Sequence, residues 1–226
     1  MDAAGKKVAM LVHNYFEQAE FEEPLATLKD AGVIVTVVAA DDKQLYGMHH
    51  ADKGDKFQAD AQLKDVAPDE YDALVLPGGV INADALRMVE PAQTWAADFL
   101  EHGKPVAAIC HAPWLLVSAD VVEGRRLTSY HTLQDDIRNA GGEWIDQEVV
   151  VDENLITSRK PDDIPAFCDA LLHMLAQPPD PDDPDPELEN DAPPDGFPFT
   201  SKDEEDESRL RAMRYGPARS GILSPV

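Results

Sequence analysis

The sequence predicts an α/β domain with a doubly wound, mostly parallel sheet over residues 1–177, followed by an acidic tail at 178–226. Two observations carry that expectation. Short apolar runs alternate with helix-patterned segments from residue 8 to residue 176, an order that suits a parallel sheet covered on both faces. The composition then changes abruptly at Pro178. Beyond it lie 10 of the 18 prolines and 13 acidic residues against 5 basic ones, which is too polar a stretch to bury a core and reads as disordered or loosely docked.

The elements follow in order. Val8 to Val12 and Val33 to Ala39 are apolar runs on either side of a helical segment that ends at Asp30-Ala31-Gly32, where the glycine suits a helix C-cap. Together they make a first βαβ unit, and a hairpin-like stretch comes next. Ala73 to Leu76 is the third run and stops at Pro77-Gly78-Gly79. The helix-like Ala92 to His102 closes at Gly103-Lys104-Pro105, and Val106 to Ile109 is the fourth run. After Cys110, the residues Ala112, Leu115, Leu116 and Ala119 recur at helical spacing with Pro113 in the first turn, which gives strand, tight turn, helix. Glu148 to Val151 and Leu155 to Ser158 read as a late hairpin. A final helix from about Asp163 to Ala176 carries the apolar stripe Ile164, Phe167, Cys168, Leu171, Leu172 and Leu175. In the tail, Arg209, Arg211, Arg214 and Arg219 surround Met213 and Tyr215, a pattern suited to docking on an acidic surface of a neighbouring subunit.

A formal charge of -25 repels phosphate backbones and anionic lipid surfaces, so neither a nucleic-acid partner nor a membrane is expected. The same charge suits a cytoplasm of high salt, where screening removes the self-repulsion. No run of 18 apolar residues occurs and the first strand begins without a signal-peptide core, so a soluble cytoplasmic protein is expected. Cys110 and Cys168 form no disulfide framework and lack the spacing of a zinc site.

Cys110 ends a buried-type strand and precedes a helix, the place where a parallel sheet exposes a nucleophile at its carboxyl edge. Helix N-terminal N–H groups there are expected to lower the thiol pKa from its ordinary ~8.5, and His111 can carry the proton. From position alone the residue reads equally well as a small buried hydrophobe. Glu17 lies at the same sheet edge, where a carboxyl group can fix the protonation of the thiol; Glu20, Glu22 and Glu23 compete with it, and position does not choose among the four. Pro77-Gly78-Gly79 offers unobstructed N–H groups for an oxyanion, together with the amide of His111. Cys168 belongs to the apolar stripe. The remaining histidines, among them His13, His49, His50, His102, His131 and His173, lack a ligand pattern, so no metal is expected and no cofactor.

Ala107-Ala108-Ile109-Cys110-His111-Ala112-Pro113, with Gly103-Lys104-Pro105-Val106 before it and Leu74-Val75-Leu76-Pro77-Gly78-Gly79 upstream, resembles the DJ-1/PfpI superfamily, in particular its PfpI-like intracellular peptidase branch. Thr128-Ser129-Tyr130, Asp135-Asp136-Ile137, Asn139-Ala140-Gly141, Asp146 to Asp152 and Thr157-Ser158-Arg159 extend the resemblance over about residues 6 to 176. It implies a flavodoxin-like, class I glutamine amidotransferase-like fold. It also implies Cys110 as nucleophile, His111 as neighbouring base and Glu17 as the carboxylate on the thiol. Gly78 and Gly79 would line the pocket, with Tyr130 near it. Asp84, within a Val80 to Arg87 segment one residue longer than in some relatives, would complete the site of an adjacent subunit in a homo-oligomer. The implied activity is thiolate-dependent hydrolysis of peptide or small amide and ester bonds. Glyoxalase or deglycase action on methylglyoxal-type aldehydes, and a non-catalytic role as stress chaperone or redox sensor, stand beside it. Amidotransferase chemistry is set aside, because Arg159-Lys160-Pro161-Asp162 stands where a late His-x-Glu pair belongs.

Overall fold

The computed structural model describes residues 3–177. Along the chain the elements are β1 (Lys7–Val12), β2 (Phe16–Glu17), α1 (Gln18–Asp30), β3 (Ile34–Ala39), β4 (Gln44–His49), β5 (Asp52–Gln58), β6 (Ala61–Gln62), β7 (Ala73–Leu76), α2 (Val80–Leu86), α3 (Glu90–Glu101), β8 (Val106–Ile109), α4 (Pro113–Ser118), β9 (Arg126–Leu127), α5 (Gln134–Asn139), β10 (Glu143–Trp144), β11 (Val149–Asp152), β12 (Leu155–Ser158) and α6 (Ile164–Leu175). Seven strands form the central sheet in the order β11-β12-β8-β7-β1-β3-β6. Every pairing in it is parallel except β11 with β12. The mostly parallel, doubly wound architecture expected from the alternation is the one observed.

The pleat explains why the strands read as unbroken apolar runs. Successive side chains point to opposite faces, and both faces are covered. Val8, Met10 and Val12 enter one core with Leu28 of α1 and Phe167 and Leu171 of α6. Ala9 and Leu11 enter the other with Trp95 and Phe99 of α3 and Leu115 and Leu116 of α4. β7 and β8 divide their residues in the same way, Val75 and Ile109 to the first core and Leu74 and Ala108 to the second.

The chain leaves β1 for β3 on one side and reaches β7, β8 and β12 on the other, so the winding reverses beside β1. In such sheets the crevice beyond the carboxyl ends of the strands is where loops from both halves meet. The loops after β1, β7 and β8 converge there. A separate three-stranded sheet, β2-β4-β5, packs beside this edge; its antiparallel β4–β5 pair is the hairpin-like stretch of the sequence. α2 and α5 were not legible, because seven and six residues are too few for a 3.6-residue period to register. The tail and its arginine cluster lie outside the described residues. Among those described, no helix is long and apolar enough to cross a membrane.

Phe167 is fully buried under the sheet. Phe167→Ala is expected to lower stability by about 3–5 kcal/mol; urea denaturation of the two proteins measures it, and a loss below about 1 kcal/mol would contradict the packing described.

Candidate active site

Cys110 stands at the end of β8 with φ +64, a left-handed conformation that a side chain adopts only at a cost on the order of 1 kcal/mol. Two main-chain bonds hold it there: its N–H donates to the Ser158 carbonyl at 3.0 Å, and its carbonyl accepts from the Tyr130 N–H at 2.8 Å. The bend lifts the side chain off the sheet, yet the residue keeps only 6% of its surface exposed. Burial, with the Glu20 carboxyl group beside it, pushes the thiol well above its usual range, against the N–H groups of Gly79 and His111, which favour the charged sulfur. This corrects the expected downward shift. α4 has only six residues, so two individual N–H groups rather than a helix end oppose the desolvation.

An imidazole nitrogen is adjacent. His111 Nδ1 lies 3.1 Å from Cys110 Sγ, and Nε2 lies 3.4 Å from Thr132 Oγ1, which suits a tautomer whose Nε2–H donates to the threonine and leaves Nδ1 free to accept. The Tyr130 ring stacks on the imidazole at 4.6 Å between centroids, and the His131 ring packs on Tyr130 at 4.4 Å. Burial, and secondarily His131, lowers the His111 pKa from its usual value, which favours the neutral ring.

The carboxyl group against the thiol belongs to Glu20, not Glu17. Glu17 closes β2, where its extended backbone directs the side chain to the β4–β5 turn; Oε2 accepts the His50 N–H at 3.0 Å and lies 3.6 Å from His50 Nδ1. Three residues on, within the first turn of α1, Glu20 faces back to the end of β8. It is completely buried against Cys110 and the Gly78 amide, and neither carboxyl oxygen makes a well-formed hydrogen bond. A carboxylate without full partners in an apolar setting holds its proton. Burial first, with Glu17 adding repulsion, pushes the Glu20 pKa up to about 8.

The glycines form the opposite wall. A Cβ on Gly78 would collide with the Glu20 carboxyl group and sit 2.6 Å from Cys110 Cβ. Gly79 has φ +92, and a Cβ there would meet the Glu17 amide nitrogen at 2.5 Å. Asp84 is exposed on α2, between the exposed Val80, Ile81 and Met88, and takes no part in the cluster. Thus Cys110, His111, Gly78, Gly79 and Tyr130 come together. Glu20 and Thr132 join them: Glu20 was one of four candidates, and Thr132 carried no sequence signal beyond following Tyr130.

Residues 6–174 match the model of the DJ-1/PfpI family. The chain belongs to that family. Among its members, protein/nucleic acid deglycase 2 of Escherichia coli is 44% identical over 173 residues, which is 75% of this chain and 98% of that protein. A candidate cysteine protease of Bacillus subtilis, YraA, is 38% identical over 171 residues, with 75% and 98% covered. Drosophila melanogaster DJ-1beta superposes with a TM-score of 0.71 at 29% identity, covering 78% of this chain and 91% of the other. A two-domain protein of Anabaena variabilis with DJ-1/ThiJ/PfpI-like and ferritin-like domains also reaches 0.71, at 34% identity; 83% of this chain spans 55% of that larger one.

Glu20 gives this DJ-1/PfpI site a pH signature. Its folded pKa of about 8 exceeds the ordinary 4.5, so its contribution to stability is fully present below about pH 4.5 and is lost as the pH rises through about 8. Melting temperatures measured from pH 5 to 9 are expected to fall less steeply for Glu20→Gln than for the wild type. Equal slopes for Glu20→Gln and wild type would refute the buried, proton-holding carboxyl group.

Proposed function

We propose that this protein is a cysteine-dependent enzyme of glyoxalase or deglycase type, acting on methylglyoxal-class aldehydes and their adducts on small molecules or protein side chains. The observation that carries this reading is the pairing of a nearly buried thiol with a completely buried, incompletely hydrogen-bonded carboxyl group. An opening that leaves 6% of the cysteine exposed suits a three-carbon aldehyde better than a peptide chain, and a carboxyl group with incomplete hydrogen bonds suits a substrate that must move a proton between adjacent carbons. The deglycase name of the Escherichia coli relative agrees with it. That name also includes nucleic acid; the charge of -25 disfavours such a substrate here.

In this reading His111 takes the thiol proton, the sulfur attacks the aldehyde carbon to form a C–S bond, and the proton passes to the former carbonyl oxygen, held by the N–H groups of Gly79 and His111. The neutral imidazole then removes the hydrogen from C1. Protonation at C2, with Glu20 as the neighbouring acid, converts the enediol into a lactoyl thioester: C1 is oxidised and C2 reduced within one molecule. Water cleaves the thioester, releasing lactate and the thiol. For an adduct, the C1 bond to the amine or thiol breaks as the bond to the Cys110 sulfur forms, and the leaving group departs with the proton taken from the Cys110 thiol.

Hydrolysis of small amide or ester bonds is the second reading, since the same two N–H groups serve a tetrahedral acyl intermediate and the Bacillus relative is named for protease chemistry. Lactate formation from methylglyoxal, assayed at high salt, is expected to vanish in Cys110→Ala and to fall about 100-fold or more in Glu20→Gln and His111→Gln. Lactate made by Cys110→Ala at the wild-type rate sinks the aldehyde mechanism. Turnover of fluorogenic peptides that needs Cys110, without any lactate, selects the hydrolase instead; turnover of neither favours a redox sensor.

We further propose that Asp84 serves the site of a second copy, docked through the apolar Val80, Ile81 and Met88 around it. Met88→Lys is expected to shift the sedimentation coefficient to that of a monomer and to reduce activity with it; an unchanged assembly contradicts this.

A further inference from the structure

Asn82 lies in the first turn of α2 and is fully buried, an unusual place for an amide side chain unless its hydrogen bonds are made. They are. Nδ2 donates to the carbonyls of Pro77 at 2.8 Å and Gly78 at 3.0 Å, and Oδ1 accepts the His13 N–H at 2.7 Å. Two acceptors on one side and one donor on the other fix which end of the amide is nitrogen. The Gly78 carbonyl also accepts the Glu17 N–H at 3.3 Å, so it is pinned from two elements.

A trans peptide unit is planar, with its C=O and N–H pointing in opposite directions. Fixing the Gly78 carbonyl on Asn82 and Glu17 therefore turns the Gly79 N–H the other way, toward Cys110, whose sulfur it reaches. Nothing in the loop itself imposes that direction. Gly78 and Gly79 are the residues freest to rotate their peptide planes, and both lack side chains to wedge them. The small residues that the crowded wall requires are the same ones that cannot hold the wall's donor in place.

We propose that Asn82 is the positioning residue of the oxyanion site: its amide clamps the Pro77 and Gly78 carbonyls and thereby aims the Gly79 N–H at the reacting centre, while its bond to His13 ties that loop to the end of β1. This deepens the reading of Cys110 as nucleophile and rests on it. The main readout is therefore alkylation of Cys110, which reports the donor's effect on the sulfur whatever substrate the enzyme turns out to use.

The test compares the full-length wild type with Asn82→Ala, Asn82→Asp and, as a control, Leu86→Ala, which weakens α2 from its buried side without touching the loop. Iodoacetamide modification of Cys110 is followed from pH 6 to 10, with mass spectrometry separating it from Cys168. Both Asn82 variants are expected to move the pH–rate profile up by about one unit, which slows modification at pH 7 about tenfold, and to lower kcat for lactate formation about 100-fold with little change in KM. Leu86→Ala keeps the wild-type profile. Asn82→Asp decides the matter if the alanine variant does not fold, because it preserves the shape and the bond from His13 but presents an oxygen to two carbonyls. A wild-type alkylation profile in Asn82→Asp, or an equal shift in Leu86→Ala, overturns the proposal. A shifted profile without any lactate formation in the wild type leaves Asn82 in its role and removes only the aldehyde substrate.

Discussion

The end of β8 has to bend a non-glycine residue into a left-handed conformation while keeping it almost sealed from water. That single constraint, φ +64 at a cysteine only 6% exposed, organises everything around it. The bend is tolerated because the flanking strand and the Tyr130 loop bind both main-chain groups of Cys110. Sealing the thiol demands a wall with no side chains, which Gly78 and Gly79 supply, and leaves room for one carboxyl group, that of Glu20.

The electrostatic consequences follow from the seal. A thiol and a carboxyl group in mutual contact and away from water both hold their protons, so the resting site is poised as an acid pair with a neutral imidazole beside it. The main-chain N–H groups of Gly79 and His111 are already in place to receive charge on the sulfur. A fully exposed cysteine at a long helix end would rest as thiolate and meet every electrophile or oxidant in solution. The buried pair forgoes that general reactivity.

The parts that the sequence made legible are those written in local pattern. Apolar runs of four to six residues, the Gly32 cap and the strand-turn-helix around Cys110 announced the parallel sheet and the place of the cysteine at its edge, because period and punctuation are local properties. The choice of carboxyl group was not local. Glu17 and Glu20 differ by three residues, and which one turns to the thiol depends on Phe16–Glu17 pairing with β4 as a short strand, a contact across about 30 residues of chain. The helical period also failed at α2, whose seven residues contain both the exposed Asp84 and the buried Asn82.

By itself, then, the sequence determined the doubly wound α/β architecture, the cysteine at the sheet edge with a histidine after it, and the glycine pair that faces them. Tertiary structure alone decided that Glu20 holds the proton beside the sulfur, that Thr132 orients the imidazole and that Asn82 pins the glycine loop. The physical reason is the same for all three. Each acts through a hydrogen-bonding or desolvation relation to a group on another element, and such relations come into being only when distant segments exclude water from between them.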